Sequence, residues 1–218
     1  MQLLITDLFT PPEREALHEA VAASDFADGR RTAGRLAAPV KRNEQAEVSA
    51  ALQAVLERVG QALMKHPMVR SAARPKRVVR VMANRYGEGM TYGDHVDDAF
   101  MAGERCDVSF TYMLSPRADY AGGELVISGD DADHTHSLEA GELLLYPADT
   151  VHRVEPVSRG ARLAIVGWLR SWVADPRQRA MLFDLDRAID TIAASATERS
   201  AVLRLQRIRG QLLRMWGA

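Results

Sequence analysis

RVVRVMANRY (77–86), DVSFTYML (107–114), GELVIS (123–128), GELLLYP (141–147), HRVEPV (152–157) and RLAIVGWL (162–169) are short runs of β-branched, aromatic and apolar residues. Turn-forming residues break the chain between them. Six such runs at this spacing predict an antiparallel sandwich or barrel. Outside them the period changes to that of helices, so the fold class expected is α+β, a mainly β core with helical additions at both ends.

Working outward from the core, Thr10 followed by Pro11, Pro12 and Glu13 is a capping box with proline in the first helical turn, where its missing N–H costs nothing. The helix it starts is expected to reach about Ser24. DGRRTAGRLAAPVKRNEQ (28–45) is polar and lacks a steady period, which reads as loop with a short strand. Leu52, Val55, Leu56, Val59 and Leu63 then share a helical face that ends before Pro67. After Trp172 two more helices are expected. Leu182, Leu185, Ile189 and Ile192 line one; Leu205, Ile208, Leu212 and Met215 line the other, whose remaining faces carry Arg199, Arg204, Arg207, Arg209 and Arg214. The arginines read as a solvated outer face and the apolar stripe as a cover for the β core; the alternative use of these helical extensions is a homo-oligomer contact. The chain thus divides into an N-terminal helical region (1–75), a β core (76–172) and a C-terminal helical extension (173–218).

The chain's 218 residues suit one sizeable core. Its 28 Lys and Arg nearly cancel its 29 Asp and Glu, so no global field recruits nucleic acid or anionic lipid, and the expected partner is a small-molecule or peptide substrate recognised locally. No apolar run is long enough to span a membrane and the N-terminus carries no export signal, so neither membrane nor secretion is expected. A single cysteine, Cys106, excludes an intramolecular disulfide and a multi-thiolate metal site, which fits a reducing cytoplasm.

The chemistry is concentrated in YGDHVDDAF (92–100), where His95 and Asp97 are two apart at the edge of an extended segment and so point to the same side. His-x-Asp alone is a weak signal. His152, at the head of HRVEPV, raises it: two imidazoles and a carboxylate on one face leave three coordination positions open, as non-haem iron(II) requires for dioxygen, whereas a closed zinc site wants four protein ligands. The other reading of His152 is a hydrogen-bonded core histidine. Arg162 opens the near-continuous apolar strand RLAIVGWL. A guanidinium there needs an anionic partner, either a surface carboxylate or the far carboxylate of a dicarboxylate cosubstrate held as a bidentate pair.

At this point the residues reach a known family. RTAG (31–34), NRYGEGMTYGDHVDDA (84–99), DVSFTYML, YAGGELVI (120–127), AGELLLYPADTVHRVEPVSRGARLAIVGWLRS (140–171) and FDLDRAI (183–189) together resemble the PKHD-type hydroxylases, bacterial relatives of prolyl 4-hydroxylase among the iron(II)- and 2-oxoglutarate-dependent oxygenases. The resemblance covers essentially the whole chain. It implies a double-stranded β-helix (jelly-roll) core, Fe(II) on His95, Asp97 and His152, and 2-oxoglutarate on Arg162 with Tyr86 as a hydrogen-bonding neighbour; Tyr86 could equally fill the core. It further implies hydroxylation with decarboxylation of 2-oxoglutarate to succinate, and L-ascorbate as the reductant that keeps the iron ferrous. Arg42, and Thr150-Val151 before His152, depart from the family pattern and touch only the outer site. The substrate is left open between a peptidyl side chain and a small molecule such as a siderophore.

Two other functions compete. One is a non-catalytic sensor that binds metal or keto acid in the same pocket; the other is a cupin-like zinc or manganese hydrolase or isomerase. Among the remaining candidates, His134 and His136 read as part of a solvated hairpin loop rather than a second metal pair. Cys106 reads as a small core residue, since no base adjoins it. Trp168 and Trp172 read as packing, and Gly122-Gly123 as a tight backbone bend.

Overall fold

The computed structural model describes residues 1–35, 37–194 and 199–218. In chain order its helices and strands are β1 (Leu3–Ile5), α1 (Pro11–Ala22), β2 (Phe26–Asp28), β3 (Lys41–Arg42), β4 (Glu44–Ala46), α2 (Ala50–Lys65), α3 (Pro67–Ala73), β5 (Pro75–Tyr86), β6 (Thr91–His95), β7 (Phe100–Met101), β8 (Glu104–Arg105), β9 (Val108–Met113), β10 (Tyr120–Gly122), β11 (Leu125–Ser128), β12 (Asp133–His136), β13 (Leu143–Pro147), β14 (His152–Val154), β15 (Val157–Gly160), β16 (Arg162–Ser171), α4 (Pro176–Ala194) and α5 (Arg199–Trp216).

The strands form two principal antiparallel sheets, one ordered β1-β13-β9-β16-β5-β4-β2 and the other β12-β11-β14-β6-β3. Alternation along β16 explains the layering. Leu163, Ile165 and Leu169 point to one face and pack with Leu17 and Val21 of α1 and Leu52, Val59 and Leu63 of α2. Ala164 points the other way, joining Tyr86, Met113, Leu144 and Tyr146 against Leu125, Ile127 and Val154 of the second sheet. Both faces of the larger sheet are therefore buried, and each fully buried aliphatic side chain contributes about 1.5–3 kcal/mol. The result is the expected jelly-roll, with helices over one sheet and a space enclosed between the two.

Local chemistry sets the ends of these elements. Glu13 accepts hydrogen bonds from both the backbone N–H and the hydroxyl of Thr10, at 2.9 and 2.7 Å, which fixes the start of α1. Ser49 Oγ accepts from Leu52 N at 3.1 Å to start α2. Gly122 and Gly123, at φ of +75° and +68°, make the expected bend, one that side chains on L-residues resist.

Several expectations are corrected. The segment 28–45 contributes three short strands and helical turns rather than mostly loop, with Leu36 outside the described residues. Pro67 ends α2 and also opens α3, in the first-turn position that proline tolerates. HRVEPV is split between β14 and β15, because Pro156 cannot donate to a ladder. His134 and His136 lie on strand β12, paired to β11, and not in a loop. The stripe on α5 does not cover the β core: none of the helix's described residues is fully buried, and Ile208 and Met215 are exposed. α1 and α2 already occupy the larger sheet's outer face, so α5 packs on α4 instead. Two buried arginines tie α4 to the rest. Arg74 pairs with Asp186 at 2.7 Å, which Arg209 of α5 also engages at 2.5 Å. Arg179 donates to the carbonyls of Val173, Ala174 and Asp107.

Candidate active site

β6 and β14 are neighbours in the smaller sheet, and their register sets His152 directly opposite His95. Cross-strand partners on one face of a sheet touch, and here the two imidazole centroids are 4.1 Å apart. Asp97, two residues beyond His95, points to the same side, and its Oδ2 comes within 3.8 Å of His152 Nε2. One donor atom from each of the three lies within 4.8 Å of the others, the one such metal-competent cluster among the described residues. Both imidazoles are oriented from behind. His95 Nδ1 lies 2.8 Å from the Gly93 carbonyl and His152 Nδ1 2.9 Å from that of Thr150. A carbonyl only accepts, so each Nδ1 carries the hydrogen and each Nε2 presents its lone pair to the cluster. Ser109 Oγ donates to Asp97 Oδ2 at 2.5 Å, fixing the carboxylate in the same way. Tyr92 stacks on the His95 ring at 3.5 Å.

Burial, reinforced by the neighbouring His152, pushes His95 down to about 4, so its imidazole is neutral at ordinary pH and free to bind a metal. His152 itself is 4% exposed. With two imidazoles and a carboxylate on one side of an open cavity, the donor set fits a divalent iron with positions left for other ligands.

The same cavity has Arg162 and Tyr86 among its walls. Arg162 is 1% exposed, yet it pairs with no carboxylate among the described residues, and its Nε has no hydrogen-bond partner. Its guanidinium lies 5.3 Å from the Tyr86 ring, its cross-strand partner. Gly123 passes so close that a Cβ there would stand 2.9 Å from Arg162 Cδ. A cation this deep is stable only with an anion, and a dicarboxylate reaching from the metal cluster supplies one. The residues therefore fit both groups.

Residues 81–170 match the 2OG-Fe(II) oxygenase superfamily and residues 177–218 match the PKHD-type hydroxylase C-terminal domain. A PKHD-type hydroxylase of Acaryochloris marina is 43% identical over 217 residues, covering 99% of each chain. The chain belongs to the PKHD-type hydroxylases. It is accordingly a 2-oxoglutarate-dependent iron dioxygenase. Solved structures agree on the fold. A prolyl hydroxylase of Trichoplax adhaerens, solved in complex with a hypoxia inducible factor peptide fragment, superposes with a TM-score of 0.60 at 15% identity, over 83% of this chain and 86% of its own. HygX of Streptomyces hygroscopicus, solved with nickel and 2-oxoglutarate bound, gives 0.57 at 15% identity over 79% and 84%.

All five residues singled out in the sequence of this hydroxylase, His95, Asp97, His152, Arg162 and Tyr86, line one cavity. The cavity has further walls that the sequence pattern alone does not mark. Trp168, assigned to packing, is buried but also walls the cavity, as do Met82, Asn84 and Arg80 on β5. Their period-two spacing with Tyr86 was the available signal. The sequence points to Arg42 for the outer site, but its neighbour Lys41 is the one that turns inward, 5% exposed and lining the cavity. Burial holds the Lys41 ammonium down at about 8. Cys106 is buried, as expected, and burial pushes its thiol up to about 11, which leaves it inert. His136 bonds Gln2 at 2.6 Å and joins no metal cluster. No helix among the described residues is long and apolar enough to cross a membrane.

Proposed function

We propose that this hydroxylase inserts one atom of dioxygen into a C–H bond of its substrate while 2-oxoglutarate is decarboxylated to succinate and carbon dioxide, with iron(II) on His95, Asp97 and His152 and the cosubstrate's far carboxylate on Arg162 beside Tyr86. The balance closes on those species: dioxygen gives one oxygen to the alcohol and the other to succinate. The observation that carries this reading is the coexistence, in one cavity, of a converging His-Asp-His cluster and a fully buried guanidinium with no anion among the described residues.

Bound iron would supply the activation of dioxygen and the abstraction of the substrate hydrogen. The chain's own residues do the positioning. The Gly93 and Thr150 carbonyls hold the two imidazoles in the tautomer that binds metal, and Ser109 holds Asp97. Arg162 fixes the far end of the cosubstrate, so its keto acid end meets the metal in one orientation. Tyr92 and Tyr146, packed on the two imidazoles at 3.5 and 5.1 Å, exclude water from that side. Ascorbate is proposed as the reductant that rescues iron oxidised in idle cycles. The substrate is proposed to be a peptidyl side chain or a siderophore-like small molecule, and the site of action the cytoplasm.

The test is succinate formation by the iron-loaded protein under air without added substrate. A slow, oxygen-dependent yield that stops when 2-oxoglutarate is withheld is expected. Tight binding of metal and 2-oxoglutarate with no succinate would instead mean a sensor, and activity indifferent to oxygen a hydrolase or isomerase.

A further inference from the structure

Metal and cosubstrate account for only one end of the cavity. On its wall, β5 presents Tyr86, Asn84, Met82 and Arg80 at alternate positions, and opposite them in register β16 presents Arg162, Ala164, Val166 and Trp168. The six-residue step from Arg162 to Trp168 spans roughly 20 Å at about 3.3 Å per residue. Arg80 and Trp168 therefore stand at the opposite end of the strand pair from the residue that anchors the cosubstrate's far carboxylate. What they offer is uniform in kind. The Trp168 indole N–H is buried without a hydrogen-bond partner among the described residues. Arg80 has no carboxylate within 4.0 Å among the described residues.

Lys41 belongs to the same group, and Arg80 is the charged neighbour that weighs most on it. Its ammonium is carried into the cavity on β3, 5.1 Å from the Tyr92 ring centroid. Its one hydrogen-bond contact among the described residues is Thr32 Oγ1, a neutral acceptor at a long 3.4 Å. A lysine this buried and without a carboxylate partner is a liability to the fold, which gives it the character of a binding group. The acidic groups acting on it are Asp97, committed to the metal cluster, and Asp28, already paired with Arg30; Asp98 stands exposed at the cavity rim. With Asp28 neutralised by Arg30, the two cations against the rim carboxylate of Asp98 leave about one positive charge, matched to a monoanion better than to a dianion such as phosphate.

We propose that Lys41, Arg80 and the Trp168 indole form an anion subsite that seats a carboxylate of the primary substrate, so that this hydroxylase acts on a carboxylate-bearing molecule. The inference rests on the reading that metal and 2-oxoglutarate fill the inner end. It names the class of substrate for that same site, with Lys41 as a specificity-determining residue.

The test uses the full chain loaded anaerobically with manganese(II) and 2-oxoglutarate, titrated calorimetrically with matched probes. One series is amidated tetrapeptides differing only as Asp against Asn or Glu against Gln; the other is free N-acetyl amino acids against their amides. In at least one series the carboxylate member is expected to bind about tenfold more tightly than its amide partner. Preference confined to the peptides identifies an acidic side chain as the source, and preference confined to the second series a free or terminal carboxylate. Lys41→Met should abolish the preference, Arg80→Gln should reduce it, and Lys41→Arg should retain part of it, with 2-oxoglutarate affinity unchanged in all three. Equal binding within every pair, binding by no probe, tighter binding of a phosphoserine tetrapeptide, or loss of 2-oxoglutarate affinity in Lys41→Met would each overturn the subsite. Failure of the wild-type protein to load metal and 2-oxoglutarate together would overturn the underlying functional reading itself.

Discussion

The two ends of the cavity each hold a buried cation without a counter-ion among the described residues, but they are built from different material. Arg162 sits on a ten-residue strand in the middle of the larger sheet, registered against Tyr86 and pressed by Gly123. Lys41 sits on a two-residue strand at the edge of the smaller sheet, fed by a segment of short helical turns. A cation fixed by extensive pairing on both sides suits a ligand that never changes, the cosubstrate. A cation on an edge segment is free to vary with the substrate, because changing it disturbs few pairings. One fold can thus keep its chemistry while its specificity drifts.

Mutation of each end sharpens this contrast. The largest effect is expected at the metal: His152→Ala should abolish iron(II) binding in anaerobic titration, since two remaining donors no longer make a facial set. Arg162→Met should keep the metal and weaken 2-oxoglutarate by about 2–5 kcal/mol, as loss of one partner of a buried charge pair does; unaltered affinity would remove Arg162 from its role. Ser109→Ala, which frees Asp97, should cost about 10- to 100-fold in metal affinity while leaving the fold intact by circular dichroism.

Lys41→Met should have the smallest effect, and the opposite sign. Lysine titrates near 10.5 when unfolded and at about 8 here, so the folded chain binds this proton less tightly. Its contribution to stability therefore rises as pH increases from about 8 to about 10.5. Replacing it should stabilise the apo protein by about 1–3 kcal/mol at pH 7 and flatten that pH dependence in thermal melts. A destabilised Lys41→Met would show that the lysine is structural.

The inner end was legible in the sequence because long strands obey simple alternation. His95 and Asp97 are two apart, and Arg162 heads an apolar strand; only the convergence of His152 with them required the fold, through the β6–β14 register. The resemblance to the PKHD-type hydroxylases then supplied roles for all five residues. The outer end was not legible. Lys41 and Arg42 are adjacent and chemically alike, and only pairing with Tyr92 and Thr91 decides which of them turns inward. Arg80 and Trp168 needed the β5–β16 register to become neighbours. Ser109 was one polar residue in an apolar strand with nothing to mark its bond to Asp97. On α5 the apolar period marks an amphipathic helix, but periodicity says nothing of which surface receives the stripe, and α4 rather than the β core does.

The most direct measurement is a crystal structure of the protein grown anaerobically with manganese(II) and 2-oxoglutarate. The expected density shows the metal on His95, Asp97 and His152, with the dicarboxylate chelating it and ending on Arg162, and Lys41 untouched. A dicarboxylate whose far end lies on Lys41 and Arg80, or a metal held without His152, would contradict the division of the cavity into a fixed inner end and a selective outer one.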